Sequence, residues 1–465
     1  MPDLVRANWN HSAESRPARL EVPRSEAALA ELVADPNTPA PIRAAGHWHS
    51  LNRCIEADGG TQILMEGLAD DRDRIRERID RAAGTVTVKA GTSLHAVARA
   101  LLPDLQLPVT PEIGNATAGS VACCGTKDSS LRGGPGQVSS TVVALRLVTP
   151  RGVEAVSDAG DPERMRLLRS SYGLLGVVSE VTFRIEPVQG VAFAYADISM
   201  DPVPPLAALR GAADGFLAFL EPFRKRAVVE RRTVDGRPPS PGDRLQVKYR
   251  SLLWERLGSG AATTLWDHPL AELLDGPVGR VLRAASGRLF DEVLARGLLA
   301  LDFRARRADT VIEFEADLHD YFDFAFWAFP ASRWAAIVPR YLEFCAGFLR
   351  DTGFRPSLPT EIYAMTRDER AALSVAYDED VFTLDMVHHR RRDLPFDPRW
   401  IEMNRRFGEL AADLGGRPLL NQTKELDGAM MRTVGLRNPP LAEALARLRA
   451  GAEPRLVSRY FAALL

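Results

Sequence analysis

Hydrophobic and polar positions in the first part of the chain predict both strands and helices. Residues 85–89 alternate strictly between polar and apolar side chains, which is typical of a half-buried strand. Residues 61–65 and 138–149 also read as strands. Residues 94–102, and the stretch that Ser25 can cap, carry apolar side chains at helical spacing. This alternation predicts an α+β domain.

The second part of the chain, from about residue 188, has a different texture but again mixes the two kinds of element. The predicted strands are 216–220, 227–230, 311–315, 322–330 and 381–387. The predicted helices are 266–299, 335–349 and 441–450. Pro187 marks a plausible boundary, so we expect a second α+β domain after it.

Aromatic residues are concentrated at 322–330, where the sequence reads Phe-Asp-Phe-Ala-Phe-Trp-Ala-Phe-Pro. Such a run could form a wall of a substrate site. It could equally be the core of a sheet, because aromatic side chains dominate the energetics of buried cores. The pattern alone leaves both interpretations open.

Length and charge set broad limits on the protein. A chain of 465 residues favours two domains, and the formal net charge of −2 argues against a nucleic-acid partner recognised by bulk charge. The four cysteines show no spacing typical of a zinc site, so we expect free thiols in a reducing compartment and no metal. The first residues lack an apolar leader-like segment, and no run of about twenty apolar residues exists. We therefore expect a cytoplasmic protein without a membrane span.

A bend of small residues at 41–50 reads Pro-Ile-Arg-Ala-Ala-Gly-His-Trp-His-Ser. Small side chains let backbone N–H groups approach a ligand, and successive N–H groups in a turn can hold an anion. His47 and His49 follow, and they share a face if the backbone is extended. The bend therefore suggests a phosphorylated cofactor, although an ordinary loop has the same composition.

A second run of small residues extends from 107 to 130 and contains Cys123 and Cys124. Such a run inside a folded domain commonly lies under a flat ligand or against another backbone. The alternative is a flexible loop, which the apolar Val121 and Ala122 argue against. We expect the two cysteines to lie on a strand beneath the ligand.

Taken together, these segments resemble the vanillyl-alcohol oxidase/p-cresol methylhydroxylase (PCMH) flavoproteins, in particular the aldonolactone and alditol oxidase branch. Residues 43–50 resemble that family's Arg-Pro-Val-Gly-Ser-Gly-His-Ser. Residues 117–127 resemble its Thr-Ala-Gly-Ala-Ile-Ser-Thr-Gly-Thr-His, and residues 170–181 its Ala-Ser-Leu-Gly-Ala-Leu-Gly-Val-Val-Thr-Glu-Val. The resemblance is specific over residues 8–187 and looser beyond them.

The resemblance implies an α+β, two-domain FAD-binding PCMH-type fold. Residues 1–187 would form the FAD-binding domain, residues 188–415 a substrate domain with an antiparallel sheet flanked by helices, and residues 416–465 a segment returning to the first domain. It also implies a covalent bond between the flavin and the histidine at the position of His49. The family's preceding glycine is Trp48 here, and His47 is a second candidate.

The residues that the resemblance assigns to FAD fall in four groups. They are Ala44, Ala45, Gly46, His47, Trp48, His49 and Ser50; Thr117, Ala118, Gly119, Ser120, Cys123, Cys124 and Gly125; Gly176, Val177 and Val178; and Asn421 and Lys424.

Candidate catalytic residues come from the second part of the chain. Glu361-Ile-Tyr363 matches a Glu-Ile-Arg strand of the family, with tyrosine in place of arginine. Lys424 is the best match for a family lysine that would place positive charge near the flavin. His388 and His389 are candidate bases, but a histidine pair before Arg390 is also typical of a solvated turn.

The sequence thus predicts an FAD-dependent oxidoreductase that oxidises an alcohol of a small-molecule substrate, with O2 or another electron acceptor. Loss of the family arginine suggests a substrate less polar than an alditol, such as a sugar-derived or hydroxylated secondary metabolite. Three alternatives stay open: a dehydrogenase that uses another acceptor, an NADPH-dependent reductase on a related flavin fold, and a non-catalytic flavin or ligand carrier. The oligomeric state is not predicted.

Overall fold

The computed structural model describes residues 4–111, 113–254, 277–310, 320–391 and 395–465. Its strands, numbered in chain order, are β1 (Arg6–Ala7), β2 (Glu14–Ser15), β3 (Arg19–Glu21), β4 (Ile42–Ala45), β5 (Thr61–Leu64), β6 (Ile79–Asp80), β7 (Thr85–Lys89), β8 (Leu105–Gln106), β9 (Val142–Thr149), β10 (Gly152–Ser157), β11 (Val177–Arg184), β12 (Glu186–Pro187), β13 (Gly190–Ser199), β14 (Gly215–Glu221), β15 (Arg226–Val234), β16 (Asp302–Arg306), β17 (Asp320–Pro330), β18 (Thr360–Met365) and β19 (Val381–Arg391).

The α-helices alternate with these strands along the chain. They are α1 (Glu26–Ala34), α2 (Arg72–Glu77), α3 (Leu94–Leu101), α4 (Ala118–Cys123), α5 (Pro162–Leu168), α6 (Leu206–Arg210), α7 (Pro241–Leu252), α8 (Pro277–Leu299), α9 (Trp334–Thr352), α10 (Pro398–Asp413), α11 (Gly428–Arg437), α12 (Pro439–Gly451) and α13 (Arg459–Leu464). Within the described ranges, no helix is both long and apolar enough to cross a bilayer.

Two sheets organise the first 187 residues. The parallel strands β3, β5 and β4 form one sheet, and β10, β9, β11, β7 and β6 pair antiparallel in that order to form the other. Burial alternates along β7, as its sequence pattern predicts. Ser93 then caps α3 by accepting a hydrogen bond from the backbone N–H of Ala96. One apolar core joins these sheets to α3 and α4.

A seven-stranded antiparallel sheet dominates the rest of the chain, with the order β16-β13-β15-β14-β18-β19-β17. One face of this sheet packs against α9 and α10, where Trp327 and Trp400 are fully buried. The opposite face carries Phe219, Tyr363 and Val387. Because side chains alternate along each strand, the two faces have separate residue sets, and this decides which candidates can meet.

The structure confirms most predicted elements and corrects several others. Residues 138–141 form a short 3-10 helix before β9 instead of the beginning of a strand, and Cys123 ends α4 instead of lying on a strand. Part of the long helix predicted from 266 is present as α8, whereas residues 266–276 and the strand predicted at 311–315 lie outside the described residues. The domain boundaries after 187 and 415 stay predictions.

Candidate functional site

An elongated cleft runs across the first part of the chain and encloses about 1110 Å³, counting the part that opens to solvent. Most of the predicted cofactor-binding residues line it: Ala44, Ala45, Gly46, His47, Trp48, His49, Ser50, Thr117, Gly119, Ser120, Cys123, Cys124, Gly176, Val177, Val178 and Asn421. Three others, Ala118, Gly125 and Lys424, do not belong to its lining. The four sequence groups therefore meet along one cleft.

Gly46 lies directly against side chains at the beginning of α4. A Cβ atom at this position would lie 2.3 Å from Oγ1 of Thr117 and 2.7 Å from Oγ of Ser120. These two hydroxyl groups hydrogen-bond to each other across 2.9 Å at the beginning of α4. Only glycine fits here without displacing the two hydroxyl groups that border the cleft.

Trp48 has a left-handed backbone, with φ at 59°. A bulky residue is strained in this conformation, which glycine adopts readily, so the turn keeps the geometry that the family's glycine would supply. His49, the next residue, lines the cleft. Burial lowers the pKa of His49 to about 4, and the Nε2 atom of His49 is buried without a hydrogen-bond partner. Its imidazole is therefore neutral at physiological pH.

Arg43 lies in the wall of the cleft and is fixed there by hydrogen bonds to three backbone carbonyl groups. Its Nη2 donates hydrogen bonds to the carbonyl oxygens of Tyr172 and Cys54 at 2.7 and 3.1 Å, and its Nη1 donates to that of Leu456 at 2.9 Å. Arg43 is buried, and its guanidinium carbon lies 5.0 Å from the ring centroid of Phe461. The arginine therefore joins its own strand to three other segments of the chain, around Cys54, around Tyr172 and at 456–461.

Tyr172 closes one side of the cleft, together with the end of the chain. Its hydroxyl donates to Oδ1 of Asn421 at 3.3 Å, and Nδ2 of Asn421 donates to the carbonyl of Gly125 at 3.0 Å. Tyr172 adopts a left-handed backbone with φ at 53°. This contact brings the C-terminal segment against the small-residue run around Cys124.

The four cysteines, all among the described residues, are free thiols. Cys54 and Cys123 are buried, and burial raises the pKa of each to about 11. Cys124 lines the cleft, and burial raises the pKa of its thiol as well. These thiols are protonated at neutral pH and act as small apolar side chains.

Two carboxylates face the first part of the chain from the large sheet. Glu361 on β18 pairs in register with Asp385 on β19, which in turn pairs with Phe326 on β17. Tyr363, two positions after Glu361, shares this face and donates its hydroxyl hydrogen to Oε2 of Glu361 at 2.9 Å. We call Glu361, Tyr363, Asp385 and Phe326 the carboxylate face.

Lys127 reaches the carboxylate face from the small-residue run. Its Nζ lies 2.9 Å from Oδ2 of Asp385 and 4.1 Å from the ring centroid of Tyr363. The side chains of Lys127 and Asp385 are 9% and 1% exposed. Burial raises the pKa of Asp385, and the ammonium group of Lys127 opposes that rise. Thr126, the residue before Lys127, lines the cleft, so the cleft and the carboxylate face are adjacent along the chain.

Comparison with known proteins shows what kind of domain holds the cleft. Residues 17–156 match the family described as an FAD binding domain. Over these residues the chain is similar to FAD-binding domains. This confirms the family resemblance of the first part of the sequence.

Sequence relatives point to the aldonolactone oxidase-like branch. The chain is 31% identical to "Probable L-gulonolactone oxidase 4" of Arabidopsis thaliana over 234 residues. This match covers 48% of this chain and 39% of that protein. It is 28% identical over 183 residues to "L-galactono-1,4-lactone dehydrogenase, mitochondrial" of the same plant, covering 38% of this chain and 28% of that protein. The matched region thus spans well under half the length of these relatives.

Solved structures share the whole fold. A cholesterol oxidase from B. sterolicum superposes with a TM-score of 0.73 at 16% identity, covering 100% of this chain and 97% of that one. A solvent-stable cholesterol oxidase gives a TM-score of 0.68 at 17% identity, covering 98% and 96%. This likeness confirms the α+β, two-domain architecture of the PCMH type.

The cleft of the FAD-binding domain fits FAD on its own evidence. Small residues at 44–46 and at 119–120 line the cleft, so a ligand can approach the backbone closely there. His49 lines the same cleft, and its buried Nε2 has no hydrogen-bond partner within the protein.

Lys424, predicted to supply positive charge beside the cofactor, instead forms an ion pair with Asp323. Its Nζ lies 2.9 Å from Oδ1 of Asp323 and 2.7 Å from Oγ of Ser12. Asp323 also accepts a hydrogen bond from Nε1 of Trp400, on the helix-packed face of the large sheet. The geometry therefore places the ammonium group of Lys424 away from the carboxylate face.

His388, predicted as a base, lies on the helix-packed face as well. Its ring centroid is 5.1 Å from that of Trp400, and its Nδ1 accepts a hydrogen bond from the backbone N–H of Ser357. Burial lowers the pKa of His388 to about 4. Both His388 and His389 are buried within β19, so the solvated-turn interpretation is wrong, and His388 is not brought to Glu361.

The aromatic run at 322–330 divides between the two faces. Phe326 belongs to the carboxylate face and is fully buried, whereas Trp327 and Phe329 pack in the core against the helices. Phe322 and Phe324 share the side of Phe326 and stay half-buried. The core interpretation therefore holds for most of the run, and Phe322 and Phe324 are the members that a ligand could contact.

Sequence reasoning missed Lys127 and Asp385 as site residues. Lys127 ends the quoted small-residue motif, at the position where the family has histidine, and this substitution was the available signal. Asp385 carried no signal, because most of its neighbours in residues 381–387 are apolar and its partner is 258 positions away.

Proposed function

We propose that this protein is an FAD-dependent oxidoreductase that oxidises the CH–OH group of a small-molecule substrate. One observation carries the proposal: Thr126 lines the cofactor cleft, and the next residue, Lys127, contacts the carboxylate face. A single step along the backbone thus joins the cofactor site to a set of acid–base groups. Such a junction is what alcohol oxidation requires.

The reaction divides between cofactor and protein. FAD, when bound, supplies the two-electron acceptor that takes a hydride from the carbinol carbon. We assign Glu361 as the group that accepts the hydroxyl proton, so that CH–OH becomes C=O. The hydrogen bond from Tyr363 orients the carboxylate, since it fixes Oε2 of Glu361 at 2.9 Å from the phenol oxygen.

The substrate is proposed to be sugar-derived or a hydroxylated secondary metabolite. The matched relatives are named as lactone oxidases and a lactone dehydrogenase, which favours a sugar-related alcohol. The carboxylate face has tyrosine where the family has arginine, it includes Phe326, and it is bordered by Phe324. This surrounding favours a substrate with a larger apolar part than a simple alditol has.

O2 is the proposed electron acceptor, and its reduction by two electrons and two protons gives hydrogen peroxide. A second candidate is a dehydrogenase that passes electrons to another carrier, which the name of one matched relative favours. Stopped-flow mixing of the reduced protein with air-saturated buffer separates the two. Fast reoxidation supports the oxidase, and slow reoxidation supports the dehydrogenase.

His49 is the proposed site of a covalent bond to the flavin. Its imidazole is neutral because burial lowers its pKa to about 4, so a ring nitrogen is available as a nucleophile. Acid precipitation of the purified protein tests the bond, since covalent flavin stays with the pellet. We expect yellow pellets from wild type and from His47→Ala, and colourless pellets from His49→Ala; colourless wild-type pellets would exclude covalent attachment.

The proposed function as a whole is tested by visible absorbance and anaerobic reduction. We expect yellow protein, as purified or after incubation with FAD, whose colour bleaches when a reactive alcohol is added without air. Protein that stays colourless with FAD would exclude the proposal. A flavin that no alcohol or amine bleaches would instead support a non-catalytic carrier.

A further inference from the structure

The Lys127–Asp385 pair joins two separate parts of the fold at the end of the cofactor cleft. Besides its contacts with Asp385 and Tyr363, the Nζ of Lys127 lies 5.2 Å from the ring centroid of Phe326. Two aromatic faces and one carboxylate therefore surround a nearly buried ammonium group. An ammonium over an aromatic face is attracted by the ring's negative surface, which helps to fix its position.

Other cations of the surrounding elements are occupied by their own partners. Lys424 is held by Asp323 on the far side of the sheet, and Arg232 is held by Asp128 and Glu230 at 2.7 and 2.8 Å. Among the described residues, Lys127 is the cation that contacts the carboxylate face directly, through Asp385 and Tyr363. The positive charge of this region is therefore assigned to Lys127.

The carboxylates near this ammonium group are unequal. Asp385 contacts Lys127 directly, while Glu361, its register partner, is bonded to Tyr363. Asp323 adds negative charge from beyond the sheet, since it contributes to raising the pKa of Asp385. A buried ion pair contributes little net stability compared with a packed apolar pair, so its presence calls for another role.

We propose that Lys127 supplies the fixed positive charge of the reaction site and that Asp385 sets the strength of this charge. The inference rests on the proposed function, because it assigns the charge to an FAD-dependent reaction. Oxidation of an alcohol places additional negative charge at the site, and a preorganised cation nearby stabilises it. Lys127, and not Lys424, is then the residue that tunes the bound cofactor.

The test measures the bound flavin directly and needs no substrate. Sulfite adds reversibly to flavin and leaves negative charge on it, so the Kd for sulfite reports the positive charge nearby. We expect Lys127→Met to weaken sulfite binding at least tenfold and Lys127→Arg to stay within threefold of wild type. Asp385→Asn keeps a hydrogen-bond acceptor for the ammonium group but removes the negative charge, so we expect tighter sulfite binding.

Opposite signs for the two variants separate an electrostatic role from damage to the fold. The double variant Lys127→Met/Asp385→Asn leaves no unpaired buried charge, and we expect its sulfite Kd to lie between those of the single variants. Lys89→Met is the matched control, because Lys89 pairs with Glu180 at 3.1 Å on the sheet of the FAD-binding domain. Its sulfite Kd should equal that of wild type.

Three results would overturn the inference. Lys127→Met and Asp385→Asn could both weaken sulfite binding, Lys127→Met could leave the Kd within twofold, or Lys424→Met could produce the larger change. A protein that is reduced by an alcohol and yet gives any of these results refutes the role of Lys127 alone. A protein that binds no FAD refutes this inference and the proposed function together.

Discussion

Tyr363 donates a hydrogen bond to Glu361 from two positions further along the same strand, with 2.9 Å between the oxygen atoms. Both side chains lie on the carboxylate face because alternate residues of a strand point the same way. The phenol takes the position at which the family places arginine, so this contact orients a carboxylate without adding a charge. The contact makes the role assigned to Glu361 testable.

Glu361→Gln should slow anaerobic flavin reduction by an alcohol about 100-fold or more, because general-base catalysis typically contributes about 10²–10⁴-fold. Tyr363→Phe should slow it less, since the carboxylate remains. Stopped-flow absorbance measures both rates. Glu379→Gln, at an exposed site where Glu379 bonds Ser332, is the control. An unchanged rate in Glu361→Gln would remove Glu361 from the reaction.

Gly46→Ala should disturb the cofactor cleft. The added methyl group would lie 2.3 Å from Oγ1 of Thr117, which is closer than Cβ atoms approach other atoms. We expect a loss of about 1–3 kcal/mol in the free energy of unfolding, as for other overpacked sites, and at least tenfold weaker FAD binding. Denaturant titration and flavin fluorescence measure the two effects. Gly242→Ala, whose nearest atom would be 3.7 Å away, should change neither.

Lys424→Met should lower stability and leave the flavin spectrum unchanged. The substitution leaves the carboxylate of Asp323, which is 3% exposed, without its cation. Breaking a buried pair from one side typically costs about 3–5 kcal/mol. Thermal or denaturant unfolding gives the loss, and Lys424→Met/Asp323→Asn should recover much of it. If stability holds and the spectrum shifts, Lys424 lies beside the flavin after all.

Acid should destabilise the protein partly through His388. Its pKa is about 4 in the folded state and about 6.5 in an unfolded chain, so the unfolded state binds more protons between these values. This contribution is present in full above pH 6.5 and is lost as pH falls towards 4. Its full size is about 3 kcal/mol, since one pKa unit corresponds to about 1.36 kcal/mol.

The matched variant for this pH effect is His388→Phe, which cannot titrate and can still pack on Trp400. Denaturant unfolding at several pH values should show a shallower loss of stability between pH 6.5 and 4 than wild type shows. Glu221 has the opposite effect, since burial raises its pKa to about 7, and its contribution is lost as pH rises from about 4.5 to 7. Equal slopes in wild type and variant would contradict the assignment to His388.

The cofactor cleft could be predicted because its chemistry is local in the sequence. Small residues at 44–46 and in the motif at 117–127 each bring a stretch of chain with short side chains to the cleft wall. The α+β architecture followed from periodicity in the same way. The conformation within one motif was not predicted. Residues 118–123 form a short helix at the edge of the cleft, and Cys123 is its last residue.

The reacting end of the site could not be predicted, because it depends on which face of a strand a residue occupies. Asp385 and His388 are three positions apart on β19 and therefore point to opposite faces. Lys424 looked suitable from its motif, but Asp323 captures it on the helix-packed side. Lys127 and Asp385 meet only after two distant segments have packed, and no local pattern encodes such a contact.

The hydrogen bond from Arg43 to the carbonyl of Leu456 also has a consequence for how the protein is made. During synthesis, the segment that braces the cofactor cradle from behind leaves the ribosome about 400 residues after the cradle itself, since translation proceeds from the N-terminus. Until residue 456 has been made, Arg43 has the carbonyl oxygens of Cys54 and Tyr172 but lacks that of Leu456, so the support behind the cradle is incomplete. We expect the cradle to hold its cofactor firmly only after this later segment has folded against it.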